Sequence, residues 1–428
     1  MSEICTHGRC TQRSKLNLKI ITCYVVAITI FLSVDPFFVW SSFANGIGVI
    51  AYKAIQIISI LLLILQLSFS RFSIKALWCG ISVMGIFFFY CFFTGVKTGT
   101  THPLLIGNIL VYFFYALNVV TSREILLKSF DILRTFFAIT LGYTLIIHIL
   151  ILMNIPVPYV VLQSGEAGRV EAGNQFYQNY FGCLLINQGG HLLYRFTSVF
   201  TEPGVVGTFC AFFLAASNRN LLKEKRDLLF LISGILSFSV AFYVLCVIAY
   251  ALKALGRGKY KFLAFLLGIT AVYFIFISID FSSTSLSNLQ ERLTFTDSGL
   301  AGDNRIKEAA EASYQAFLRS DLKTVLLGYG YPDSNLEAWQ ATASYKESVY
   351  CLGVLGYGLM IVWFVLTPII CYRSKDVGKN RLMYSYILIF ILSQYQRPYM
   401  KSLFLAFMLL AGSLYARQSA SDGSLEQN

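Results

Sequence analysis

Runs of about 20 apolar residues follow one another along this chain, and they leave few folds open to it. Each run is long enough to cross the hydrocarbon core of a bilayer as a helix, which closes its backbone hydrogen bonds within itself. The clearest runs are Leu18–Trp40, Gly48–Phe69, Ala76–Val96, Pro103–Thr121, Phe130–Asn154, Phe262–Ile279 and Ser348–Cys371, with another from near Val199 to Ser217. Composition points the same way. Of 428 residues 56% are apolar and only 13% charged, about half the charged share of a soluble domain. Eight prolines and the absence of a polar low-complexity tract exclude a disordered chain. The first run is too long for a cleavable signal peptide, and no small-residue cleavage site follows it.

Two apolar regions do not resolve by length alone, and the charges decide both. The net charge of +12 could mean a nucleic-acid partner, but in a membrane protein basic residues collect in cytoplasmic loops, so nucleic acid is not expected. Arg219, Lys223, Lys225 and Arg226 precede Leu228–Leu255, and Lys253, Arg257, Lys259 and Lys261 close it. Two short helices turning at Ser237–Ser239 keep both clusters inside. A break at Gln394–Lys401 likewise splits Leu382–Ala416 into two. The expected fold is an all-α polytopic membrane protein of about 12 transmembrane helices, including two short-helix pairs, with both termini cytoplasmic. Residues 1–17 form a tail, 18–154 five helices, 155–198 a large outer loop and 199–279 four helices. Residues 280–347 form a second outer loop with an amphipathic helix, 348–416 three helices, and 417–428 a tail.

Most charged residues of the outer loops are expected simply to meet water, but three places carry more. Arg195-Phe-Thr-Ser-Val-Phe-Thr-Glu202-Pro203-Gly204 runs into a helix. Pro203 suits a first helical turn, and Glu202 faces its positive end. Arg195 either meets lipid headgroups or clamps a phosphate-bearing lipid substrate with its planar fork. Asp303–Arg319 reads as an amphipathic helix with an apolar stripe of Ile306, Ala309, Ala310, Tyr314, Phe317 and Leu318, and with Arg305 in its first turn. Lys346 and Glu347 precede a helix containing Gly353-Val-Leu-Gly356, whose small residues would let helices pack closely. At a membrane mouth, Lys346 and Glu347 are either rim charges or a phosphate partner and a base.

Other chemistries find no support. The chain has no phosphate-binding glycine loop, no HExxH and no Asp-x-Asp, and no soluble region large enough to bind a nucleotide. Most of the ten cysteines lie in or beside apolar runs. Cys5, His7 and Cys10 offer three metal ligands, where a closed zinc site needs four. No cofactor or metal is expected. An enzyme built this way would act on lipid-borne, pre-activated substrates at the outer face.

In its order of features the chain resembles bacterial O-antigen polymerases, of the polymerase/ligase group of lipid-linked glycosyltransferases. The resemblance rests on Arg-Phe-x-Ser-x-Phe-x-Glu-Pro-Gly from Arg195 to Gly204, Ser-Phe-Ser at Ser237–Ser239 in a split helix pair, and Arg305 ahead of Leu-Leu-Gly-Tyr-Gly at Leu326–Gly330. Gly-Val-Leu-Gly at Gly353–Gly356 completes it, so that it covers roughly residues 160–416. Arg319 with Gly330 also looks like the Arg-x10-Gly pattern of these polymerases; no such pattern starts at Arg169 or Arg195. The resemblance implies a GT-C-like, metal-independent polymerase of the bacterial inner membrane that joins undecaprenyl-diphosphate-linked repeat units, as donor and acceptor, at the periplasmic face. A chain-length regulator is an implied partner beside the membrane lipids. Arg195 and Arg305 are then expected to stabilise the leaving diphosphate, with Arg169, Arg319 and Lys346 assisting in diphosphate or glycan binding. Related ligases carry a histidine before the Gly-x-x-Gly helix; here Ser344–Glu347 stands instead, so Glu347 is the expected base, followed by Glu202 and His191. The alternatives are an O-antigen ligase, an exopolysaccharide polymerase and, from another class, a flippase or transporter of lipid-linked sugars, for which Lys53 and Arg134 are the intramembrane charges.

Overall fold

The computed structural model describes residues 2–40, 47–69, 73–98, 103–163, 176–188, 191–221, 223–279, 285–296, 299–300, 308–329, 344–395 and 402–425. The described chain is mostly helical. Helices stand at or near the apolar runs: α1 (Ser2–Leu32), α3 (Ile47–Phe69), α4 (Ile74–Thr98), α5 (Pro103–Val120), α6 (Arg123–Leu152), α7 (Pro203–Ala216), α8 (Lys225–Leu236), α9 (Val240–Arg257), α10 (Lys259–Ser278), α14 (Tyr345–Tyr372), α15 (Val377–Ser393) and α16. The last runs as Leu403–Phe407, a π-helical Met408–Gly412 and Ser413–Leu425. Six of these are long and apolar enough to cross a membrane, α3, α6, α9, α10, α14 and α16, beside shorter apolar ones. This is the architecture of a multi-pass membrane protein.

Both regions divide into two helices as expected, although residues 396–401 of the second break lie outside the described residues; the first break has a local cause. α8 ends at Ser237, Phe238 takes a left-handed φ of 45°, and α9 starts after Ser239. The Ser237 hydroxyl donates to the Gly234 carbonyl at 2.6 Å. α7 crosses this turn closely because residue 207 is glycine: a Cβ there would sit 2.5 Å from Ser239 Cβ. The second break falls after Ser393. In α16 the π-helical stretch coincides with the Tyr386 hydroxyl donating to the Met408 carbonyl at 2.9 Å, an insertion of the kind that distorts a helical ladder.

Several expectations need correction. The first span does not run to Trp40: α1 stops at Leu32, a turn carries Asp35 at φ 52° into Pro36, and a short α2 (Phe37–Trp40) follows. α1 also extends back to Ser2 and α16 on to Leu425, so much of both presumed tails is helical. The fold is not all-α either. The first long inter-helix segment holds a four-stranded antiparallel meander of β1 (Val160–Gln163), β2 (Phe176–Tyr180), β3 (Cys183–Gln188) and β4 (His191–Leu193). Alternation decides it: Leu162, Tyr177, Leu184 and Ile186 form a small core on one face, while Cys183 and Leu185 on the other join the main helical core. Phe181 and Gly182, both at positive φ, make the two-residue hairpin between β2 and β3. A search for long apolar runs does not register a period of two.

The stretch after β4 is not a surface loop. Phe196, Thr197, Ser198 and Phe200 are fully buried. Buried irregular backbone must find partners, and here it does. Phe196 N–H donates to the Leu236 carbonyl at 3.0 Å, Leu184 N–H to the Ser198 carbonyl at 2.8 Å, and Phe37 N–H to the Val199 carbonyl at 2.9 Å. The Ser198 hydroxyl lies 2.7 Å from that of Thr144 on α6. α7 therefore begins only at Pro203 and is 14 residues long.

The second long inter-helix segment contains α11 (Ser285–Leu293), a two-stranded ladder of β5 (Phe295–Thr296) and β6 (Gly299–Leu300), α12 (Glu308–Leu318) and α13 (Leu322–Leu327). α12 buries Ala310, Tyr314 and Phe317, a narrower stripe than expected: Ala309 and Leu318 are exposed, and Ile306 lies outside the described residues.

Candidate functional site

The motif segments converge at one end of the bundle. Arg195, half-buried, donates from Nη2 to the Phe238 carbonyl at 2.9 Å and from Nε to the Ser237 carbonyl at 3.2 Å. One motif segment thus pins the turn of another: a guanidinium fork can hold two carbonyls that helix α8 leaves without intrahelical donors. From this turn α9 descends beside α15 and α7, and between them lies an apolar cavity of about 180 Å3 lined by Thr208, Ala241, Val244, Leu245, Leu392 and Tyr395, among others. The Tyr395 ring meets that of Tyr345, 5.7 Å between centroids, at the start of α14. Lys346 and Glu347 follow in the first turn of α14.

The other two motifs also meet. Gly328 (φ 75°) and Gly353 (φ 72°) press backbone to backbone, and Tyr329 N–H donates to the Tyr350 carbonyl at 3.0 Å. A Cβ on Gly353 would overlap the Leu326 carbonyl, and one on Gly328 the Cys351 carbonyl. Gly353 breaks the helical path of α14, with ψ 168°. Its role is to admit the Leu326–Gly328 backbone into a kink, rather than to let two helices pack. Both residues occupy a region open essentially to glycine alone. Gly353→Ala is expected to cost at least about 3 kcal/mol and to release the α12–α13 segment, read as a lowered melting midpoint with new proteolytic cuts near residue 330.

Beneath this contact the rings of Tyr314, Phe317, Tyr329 and Tyr350 form a continuous aromatic cluster, with centroids 5.0–6.0 Å apart. Lys346 lies over Tyr314 at 5.2 Å and its Nζ bonds Glu311 at 2.6 Å. The Lys346 and Gln315 hydrogen bonds hold the Glu311 carboxyl below the usual carboxylate range. Lys346 is therefore already engaged by Glu311.

Of the remaining expected site residues, Glu202 is the residue before α7, with Pro203 at its first position, and its side chain makes no capping bond. Glu347 is half-buried. Arg319 is exposed at the end of α12. His191 sits in β4 opposite Gln188, with its side chain outside the described residues. Arg169, Arg305 and Gly330 lie outside the described residues.

Of the two intramembrane charges, Lys53 is exposed and lies over the Tyr52 ring. Arg134 is fully buried. Its guanidinium pairs with Asp227 of α8, donates to the Tyr415 hydroxyl of α16, and lies 5.0 Å from the Tyr415 ring. Next to Asp227, Glu224 accepts from Arg226 at 3.0 Å and Arg219 at 2.8 Å, and Arg226 also reaches Asp131 at 3.0 Å. Burial works to raise the Glu224 carboxyl, but the hydrogen bonds from Arg226 and Arg219 outweigh it and hold the group at about 2. A depressed carboxylate contributes stability above its ordinary range and loses it as pH falls through its folded value. Thermal midpoints are accordingly expected to drop between about pH 4.5 and pH 2, and Glu224→Gln should flatten that part of the curve.

Fold and site together define a polytopic membrane protein with a buried ion pair inside the bundle and a convergence of polar and aromatic groups at one end. The chain matches no protein-family model, no curated protein and no solved structure.

Proposed function

We propose that the protein is a polysaccharide polymerase of the bacterial inner membrane, with both termini cytoplasmic and the Arg195–Glu347 end facing the periplasm. It joins undecaprenyl-diphosphate-linked oligosaccharide repeats. The observation that carries the reading is the pairing of the four motif segments at one end of the bundle. Arg195–Gly204 packs on Ser237–Ser239 and Leu326–Gly328 on Gly353, with an apolar cavity beside them suited to a prenyl chain.

In this reading the acceptor hydroxyl attacks the donor's anomeric carbon, the bond from that carbon to the diphosphate oxygen breaks, and the carrier diphosphate leaves. Charge develops on the departing diphosphate, where fixed cations lower the barrier; Arg195 and Arg305 take that role, with Arg169 and Arg319 along the glycan. Glu347 takes the proton of the attacking hydroxyl. Lys346, held by Glu311, places the first turn of α14, and the exposed Tyr329 ring, backed by the buried Tyr350, offers a face to the sugars.

The test is elongation by the purified protein supplied only with lipid-linked repeat units and EDTA. Longer glycans support the polymerase. Transfer that waits for an added lipid A-core acceptor indicates a ligase, and lipid scrambling in liposomes without transfer indicates a flippase. Glu347→Gln, which keeps shape and removes the base, is expected to lower the elongation rate by about 100-fold or more at unchanged melting midpoint. A variant with normal turnover would pass the role to Glu202 or His191.

A further inference from the structure

Two cavities open at the opposite end of the bundle, where α7 and α9 finish and α10 and α15 begin. One measures about 270 Å3 and the other about 420 Å3, and they share Asn218, Lys253, Arg257 and Lys261, so they form a single basin. Its charge is one-sided. Lys253 is engaged: its Nζ donates to the Leu214 carbonyl at 2.7 Å and the Ser217 carbonyl at 2.5 Å, closing the end of α7. Arg219 pairs with Glu224 and Lys379 with Asp376, and Asp227 at the floor is matched by Arg134. Arg257, Lys261 and Arg381 remain, with no carboxylate partner among the described residues.

The basin is also shaped for one of these cations. The Arg381 guanidinium lies flat against Gly256 in the last turn of α9, where any Cβ would overlap it. Glycine there lets an arginine from α15 reach across α9 beside Arg257. Three cations around one opening are a receptor for phosphate oxygens. Part of the remaining wall is apolar, with Leu214, Tyr250 and Phe265. Phe265 belongs to α10, which buries none of its residues, so the crevice has a side facing the surrounding lipid as well as a polar mouth.

We infer that this basin binds a phosphate group carried by an anionic phospholipid of the adjoining leaflet, with Arg257, Lys261 and Arg381 as its ligands. The site is independent of the polymerase reading and lies at the other end of the bundle. A free phosphate ion offers the same oxygens; the apolar wall beside the cations is what favours a lipid. Basic pockets between membrane helices bind such headgroups because each cation there contributes to the attraction.

The experiment uses the full chain, delipidated in a nonionic detergent, and follows its melting midpoint and the mass of bound lipid by native mass spectrometry. Phosphatidylglycerol, phosphatidylcholine and inorganic phosphate are titrated separately. Phosphatidylglycerol is expected to bind and raise the midpoint where phosphatidylcholine does not. The combined Arg257→Gln, Lys261→Gln and Arg381→Gln variant should bind it about 100-fold more weakly. Should that variant not fold, Arg381→Gln alone is expected to weaken binding roughly fivefold, and Gly256→Val, which displaces the same guanidinium, should match it. Inorganic phosphate that raises the midpoint equally and displaces the lipid would support the cation cluster but overturn the lipid as its occupant. Equal binding of both phospholipids, or undiminished binding by the folded variants, would overturn the site.

Discussion

Asp227→Ala is expected to destabilise the helical bundle by about 3–5 kcal/mol, because it leaves a fully buried guanidinium without its counter-charge. Arg134 is fully buried, and its charge is answered by Asp227 and its remaining polarity in part by the Tyr415 hydroxyl. Removing both charges is a different experiment from removing one. Arg134→Met combined with Asp227→Leu exchanges the pair for apolar groups of similar bulk, and such exchanges are often neutral. The double variant is therefore expected to recover most of the stability that either single variant loses. Thermal unfolding in detergent, with folded yield by size-exclusion, measures both. A single variant that melts like the parent would mean that water or a mobile side chain reaches Arg134. The same variants bear on transport. A buried, neutralised pair joins three helices, so the double variant should keep elongation where a transport pathway through Arg134 would lose its function.

The second large effect concerns Arg195. Arg195→Ala and Arg305→Ala are each expected to reduce elongation by at least about 100-fold, the scale of losing one fixed donor to a developing anion. Arg195 carries a structural duty as well, since it holds the carbonyls of Ser237 and Phe238, and its removal should lower the melting midpoint. Arg195→Lys separates the two duties. An ammonium can satisfy a backbone carbonyl, yet it lacks the planar fork that grips two phosphate oxygens. Lysine should restore the midpoint while elongation stays low. Near-normal elongation by both alanine variants would remove these arginines from the site.

The helices were legible in the chain because their signal is local. A run of 20 apolar residues needs no partner to be recognised, and flanking cations place the breaks at Ser237–Ser239 and after Ser393. Pro203 marks a helix start for the same reason: its ring suits a position whose N–H is unpaired anyway. The small sheet was harder, since Leu184 and Ile186 alternate with Cys183 and Leu185, which are apolar too and pack on the opposite face, so no polar-apolar period marks strands this short. Part of the candidate site was visible as motifs in sequence order, but their mutual contacts were not.

Membrane spans, helix breaks and the basic clusters at their ends follow from residue type and spacing, because the cost of placing charge or open backbone in hydrocarbon acts on each segment separately. Which charges meet is another matter. That Arg134 finds Asp227 93 residues away, that Lys346 is held by Glu311, that Arg195 grips the turn of α8 and α9, and that Gly328 nests against Gly353 all depend on how helices cross. Those pairings are contacts between distant segments, and only the packed bundle brings their atoms within bonding distance.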